Sequence, residues 1–174
     1  MKKIIFVIAI LAFLLLFGCT DNSNNNQNDT NNITNFVTFK EVENSTCTID
    51  GKPVIRLYST TWCPHCKWIN ETYNTVVKEY VNQGKIVAYH YEFDTNDDIL
   101  TPGTSGISEQ ENTIFKQFSP NGSIPAFVFG CKYYRIGNGY EPVGNVTPEQ
   151  NKARLALEEA EFRKIIEDLI NETK

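Results

Sequence analysis

The sequence predicts an α/β domain with a central mixed sheet, ordered βαβ, then α, then ββα, and helices on both faces. Two observations carry this. Two β-rich runs, Pro53–Ser59 and Ile86–Phe93, flank a stretch whose apolar residues recur every three or four positions. Such a βαβ unit closes right-handed with its strands parallel. Further on, the short β runs Ala126–Gly130 and Tyr133–Ile136 stand two residues apart and predict an antiparallel hairpin. At 174 residues the chain has room for one ordinary domain rather than two.

Each element has its own signals. Pro53–Ser59 alternates, with Val54 or Ile55 and Leu57 turned inward. After Cys63 the period becomes helical. Ile69, Tyr73, Val76, Val77, Tyr80 and Val81 share a face, and Gly84 stands where a helix stops. Ile86–Phe93 is the second strand and residues 95–107 read as loop. Ser108 with Glu111 makes a capping box for a short helix through Phe118. The last helix is capped by Thr147, with Pro148 in its first turn and Gln150 completing a second box. Leu155, Phe162, Ile165, Ile166 and Leu169 form its apolar face. Residues 36–50 leave two readings open, an edge strand at Phe36–Phe39 or a wrapped segment.

Composition excludes some functions. A 41% hydrophobic content is too high for a wholly disordered chain, and a net charge of −5 gives no footprint for nucleic acid. The amino terminus assigns a compartment. Lys2 and Lys3 precede an apolar run from Ile4 to Phe17, shorter than the roughly 20 residues a spanning helix needs. Residues 1–18 therefore read as a signal peptide. Leu16-Phe17-Gly18-Cys19 resembles the lipobox of prokaryotic lipoproteins, and that resemblance implies lipidation of Cys19; an uncleaved anchor is the other reading. Within residues 19–35, Cys19 is then followed by a polar, Asn-rich tether, residues 20–35, too poor in apolar side chains to fold. Sixteen such residues reach about 22 Å, enough to hold a domain of residues 36–174 at the outer face of the cytoplasmic membrane. Seven Asn-x-Ser/Thr sequons, at Asn28, Asn32, Asn44, Asn70, Asn121, Asn145 and Asn171, fit an exported glycoprotein and, with the lipobox, an archaeal cell surface. Biased composition is the plainer explanation of the sequons.

The chemistry concentrates at Thr61-Trp62-Cys63-Pro64-His65-Cys66-Lys67, a Cys-x-x-Cys directly after a strand and at the start of a helix. Unpaired N–H groups and the macrodipole at a helix start favour an anion on Cys63. Pro64 presets the first turn without wasting a donor. A protonated His65 adds further stabilisation, and Cys66 is one turn along, close enough to close a disulfide. Cys63 is thus the expected nucleophile and Cys66 the resolving thiol. Zinc is a poor alternative, because there is no second Cys-x-x-Cys and the chain has only His65 and His90. A four-residue loop also makes a strained, reducible staple.

The βαβ unit with Cys-Pro-His-Cys at its helix start, followed by Ser123-Ile124-Pro125 before a hairpin, resembles the thioredoxin superfamily over about residues 52–172. The resemblance implies that Pro125 is cis and faces the dithiol. It also implies that the Ile124 backbone pairs with an extended substrate segment, with Trp62 beside the nucleophile. Cys-Pro-His-Cys is the dipeptide of the Dsb periplasmic oxidants, although their helical insert is absent here. Tyr58-Ser59-Thr60-Thr61-Trp62-Cys63-Pro64 is closer to glutaredoxin, whose paired glycine is here Gly137-Asn138-Gly139. Where thioredoxin carries a buried carboxylate, this chain has Leu57, so Glu92 or water is left to take the proton of Cys66.

Cys47 and Cys131 remain. In an oxidising compartment they are expected to pair as a structural staple, with a redox relay as the alternative. The reading that follows is a membrane-tethered thiol-disulfide oxidoreductase, acting as oxidase or isomerase. It needs no cofactor beyond a redox-active Cys63–Cys66 disulfide. Its expected partners are exported cysteine-containing proteins and a membrane redox protein. A dedicated reductase, for example in cytochrome maturation, is the rival within this class. A lipoprotein binding copper or zinc through Cys63, Cys66 and His65 or His90 is the rival outside it.

Overall fold

The computed structural model describes residues 37–43, 45–101, 103 and 106–174. The leader, Cys19, the tether, Phe36 and the sequons at Asn28, Asn32 and Asn44 lie outside the described residues. No helix among the described residues is long and apolar enough to cross a membrane.

Among the described residues seven strands and three helices follow in the order β1 (Lys40–Glu41), β2 (Thr48–Ile49), β3 (Lys52–Ser59), α1 (Pro64–Asn82), β4 (Val87–Glu92), β5 (Asp97–Asp98), α2 (Glu109–Phe118), β6 (Ala126–Phe129), β7 (Tyr133–Ile136) and α3 (Pro148–Glu172). The sheet runs β1-β7-β6-β3-β4-β5, with β2 paired to the start of β3. β3 and β4 are parallel, in register Leu57↔His90, and every other pairing is antiparallel. This is the predicted mixed sheet, with three short strands added to it.

β3 is buried on both faces from Val54 to Ser59 because helices cover both. Its odd-numbered Ile55 and Leu57 join Phe127 and Phe129 against Ile69, Tyr73, Val76 and Val77 of α1 and Phe162, Ile165, Ile166 and Leu169 of α3. Tyr58 faces the other way, with Tyr91, Ala126 and Val128, against Phe115 and Phe118 of α2. A strand period of two thus feeds two cores. The helix faces match expectation except at Val81, which is 40% exposed at the end of α1. Ser108 caps α2, and Thr147 with Gln150 forms the reciprocal capping box of α3.

Three readings need correction. Residues 95–107 are not all loop: Asp97–Asp98 pairs with Tyr91–Glu92 as β5. The Asp98 carboxylate fixes this turn by accepting the His90 N–H at 2.8 Å and the Leu100 N–H at 3.2 Å. The edge strand of the amino-terminal segment is Lys40–Glu41 on β7, while Phe39 turns its ring into the core. The β6–β7 turn spans Gly130, Cys131 and Lys132, with φ of 62° at Gly130 and 55° at Cys131. A Cβ on Gly130 would come within 2.6 Å of Leu169, so only glycine fits under α3 there.

Candidate active site

Thr61 is tied down before the cysteines begin. Its N–H donates to Asp94 Oδ1 at 3.0 Å and its hydroxyl to Oδ2, which braces the end of β3 against the residues after β4. These bonds from Thr61 hold the Asp94 carboxyl below its ordinary range. Trp62 follows, largely exposed.

Cys63 is the N-cap of α1, extended at φ −71° and ψ 118°, with Pro64 opening the helix. The Cys63 sulfur accepts the Cys66 N–H at 3.3 Å, the bond a capping side chain makes. Both are free cysteines in the structure. Cys63 is 4% exposed and Cys66 0%, so the outer sulfur is the one a partner can reach. Burial pushes the Cys66 thiol up to about 12, helped by its hydrogen bond with Cys63 and opposed by the Thr60 backbone. One sulfur therefore accepts a helix-start N–H and the other is buried as a thiol.

His65 does not turn to this pair for its hydrogen bond. Its Nδ1 lies 2.8 Å from Glu141 Oε2, and the Asn138 side-chain amide donates both to that same oxygen, at 2.7 Å, and to the His65 carbonyl, at 2.8 Å. The loop carrying Asn138 and Glu141 is itself anchored. Glu158, wholly buried on α3, accepts the Gly139 and Tyr140 N–H groups at 2.7 and 2.9 Å with one oxygen. Its other oxygen takes Arg135 Nη2 at 2.6 Å. The Arg135 guanidinium lies 4.6 Å from the Phe39 and Phe127 ring centroids. Neither Glu141 nor Glu158 was singled out from sequence. Glu158 did leave a signal, since it falls between Leu155 and Phe162 on an otherwise apolar stripe.

The Ile124–Pro125 peptide is cis. His65, Ile124, Pro125, Asn138, Glu141 and Val143 line one surface groove of about 500 Å³, with the Val143 side chain fully exposed at its rim. Among the described residues the Ile124 backbone makes no hydrogen bond, whereas the Pro125 carbonyl accepts from Gly137 at 2.8 Å. Cys47 and Cys131 are joined by a disulfide, with Cα atoms 5.4 Å apart. Glu92 ends β4 opposite Ser59, its carboxyl raised by partial burial and by Asp94, and no hydrogen bond joins it to Cys66. His90 is held at Nε2 by Ser59 and at Nδ1 by Asn74, each at 2.8 Å. Among the described residues no three His, Cys, Asp or Glu side chains are placed to hold a metal ion. The sequon Asn70 lies within α1 with its Oδ1 buried, and Asn171 within α3, neither in the surface loop a glycan acceptor prefers.

A βαβ–α–ββα sheet with Cys-x-x-Cys at the first helix start and a cis-proline before the hairpin defines a thioredoxin-like domain. Residues 48–127 match the model of the family described as Thioredoxin, in agreement with the thioredoxin-like fold. No curated protein and no solved structure shows significant similarity to the chain.

Proposed function

We propose that the protein exchanges disulfides with exported proteins through Cys63 and Cys66. The observation that carries this is the split between the two sulfurs: Cys63 at the α1 N-cap within reach of a partner, Cys66 buried with its thiol raised to about 12. In the oxidising direction a client thiolate attacks Cys63, a client–Cys63 bond forms, and the Cys63–Cys66 bond breaks with its electron pair left on Cys66. The Cys66 sulfur takes up a proton. A second client thiolate then attacks the client sulfur bonded to Cys63, and Cys63 leaves as the thiolate that a helix start favours. The client departs oxidised by two electrons and the protein is left as its dithiol. No dissociable cofactor takes part.

The unpartnered Ile124 backbone, beside Pro125 and His65 in the groove, supports binding of the client there as an added strand, and the thioredoxin resemblance supports Trp62 and Pro125 as the residues flanking the sulfur. The apolar leader with Gly18-Cys19 supports export and a lipid anchor on the outer face of the cytoplasmic membrane, and the Asn-rich stretch supports a tether. A membrane redox protein would reoxidise the dithiol of an oxidase. We read the direction as oxidase or isomerase.

Replacing Cys66 with serine removes the resolving thiol. A C66S chain expressed in an exporting cell is expected to accumulate partners on Cys63 that a reductant releases and that C63S/C66S lacks. Recovery of no adducts from C66S would overturn the proposal. The reduction potential of the pair separates directions: a value near that of cytosolic thioredoxins marks a reductase, a markedly more oxidising one marks the oxidase or isomerase.

A further inference from the structure

The other end of β3 carries the second sulfur pair, and its surroundings are asymmetric. Cys47 is half-buried and lines a surface cavity of about 470 Å³ together with Arg56, Tyr89, Tyr91 and Glu111. Cys131 is buried at the hairpin tip. A nucleophile entering from solvent therefore meets the Cys47 sulfur first.

Behind Cys131 stands a buried cation. Arg56 comes from the middle of β3, where its side chain is 5% exposed. Its Nε and Nη2 are committed to Glu111, at 2.8 and 3.1 Å, and Tyr58 donates to the same carboxylate at 2.9 Å. The remaining Nη1 lies 3.8 Å from Cys131 Sγ. A disulfide sulfur is a weak acceptor and gains little from a guanidinium. A thiolate gains much more, because the bond becomes charge-assisted at both ends.

We propose that Cys47–Cys131 is a second thiol-disulfide exchange site, entered at Cys47 by an external dithiol and opened with Cys131 leaving as a thiolate held by Arg56. The incoming thiolate forms a bond to Cys47 Sγ. The Cys47–Cys131 bond breaks and its electron pair stays on Cys131. The second thiol of the reagent gives its proton to solvent and attacks its own sulfur in the mixed disulfide, and Cys47 leaves and takes up a proton. The reagent departs as a disulfide, oxidised by two electrons, and the pair is left as one thiol and one thiolate. The Val54 N–H donates to the Cys47 carbonyl at 3.1 Å, whereas Cys63 lies beyond Ser59. At about 3.3 Å per residue Val54 and Ser59 are roughly 17 Å apart along the strand, so the two pairs do not exchange within one chain.

This step is independent of Cys63 and Cys66, and the test removes them. The full-length C63S/C66S chain is incubated with glutathione under native conditions, quenched with N-ethylmaleimide and mapped by mass spectrometry. Glutathione is expected on Cys47 and maleimide on Cys131, with at least roughly tenfold preference over the reverse. Opening is expected to slow by about as much in a further R56Q/E111Q variant, which removes both charges together. Should that variant fail to fold, the map of the Arg56-containing chain still decides the question. Glutathione on Cys131, an even distribution, or opening only in denaturant would overturn the proposal.

Discussion

Nδ1 of His65 lies 2.8 Å from Oε2 of Glu141, across 76 residues of chain, and the pair joins the helix carrying both cysteines to the loop after β7. The imidazole two residues after Cys63 is thus held by a carboxylate. The pair is partly exposed, and such a pair contributes at most about 1 kcal/mol to stability. E141A is therefore expected to melt close to the parent. It is expected to shift the 63/66 equilibrium several-fold toward the dithiol, because the carboxylate that holds His65 and opposes a nearby anion is gone. Redox titration in glutathione buffers measures this. An unchanged equilibrium would separate His65 from the thiolate.

Arg135 has the opposite energetics. Glu158 and Glu161 are 0% and 6% exposed, and Arg135 is the cation that faces both, at 2.6 and 3.5 Å. Replacement by methionine would leave buried carboxylates without their partner, at a cost of about 3–5 kcal/mol. Urea unfolding of R135M should show this. R135M/E158Q/E161Q should recover much of it, since uncompensated charge is the larger part of the penalty.

His90 predicts the acid limb of the stability curve. Burial, with Lys78 adding to it, lowers its imidazole to about 3. The folded state therefore refuses a proton that the unfolded chain accepts near pH 6.5. Stability contributed by neutral His90 is complete above about pH 6.5 and lost progressively toward pH 3, on the order of a few kcal/mol in all. H90Q should flatten that limb in denaturant titrations at pH 4 and pH 7. An identical slope in both proteins would assign the limb to other groups.

Gly139 is required by close approach. A Cβ there would lie 2.5 Å from both Arg135 Nη1 and Thr38 Oγ1. G139A is expected to displace the loop that Glu158 holds and to cost about 1–3 kcal/mol. Faster hydrogen exchange at the Gly139 and Tyr140 amides would mark loss of their bonds to Glu158. Protected amides in G139A would show that Arg135 yields instead.

Losing the Cys47–Cys131 bond should cost about 2–4 kcal/mol, since it closes a loop with a sequence separation of 84. C47A/C131A is expected to unfold at correspondingly lower urea while still forming C66S-dependent adducts. Loss of those adducts in a chain that remains folded would tie the two sulfur pairs together.

What the sequence revealed depended on range. Cys63, Pro64 and Cys66 act over one helical turn, so their spacing alone places the sulfurs at a helix start. The Ser108 cap and the Thr147 capping box are equally local, although at Ser108 the expected reciprocal bond is missing because the Glu111 carboxylate turns inward to Arg56 and Tyr58. Arg56 and Arg135 escaped because a charged strand residue ordinarily faces water, and the carboxylates that admit them arrive from α2 and α3, 55 and 23 residues away. Glu111, with Phe115 and Phe118, sits on the inward side of α2 as Glu158 does on α3. An acid on an apolar stripe was the available sign of each buried arginine. β5 left no sign, since two aspartates in sequence carry no strand propensity and Asp98 acts by capping the His90 backbone.

The margins of the sheet are closed by β1 and β5, each only two residues long. Unfolded chains with bare ladder groups seek such borders, and stubs of this length give them almost nothing to template upon. Partly unfolded chains that collide with such borders would find too few free ladder groups to be recruited into a shared sheet.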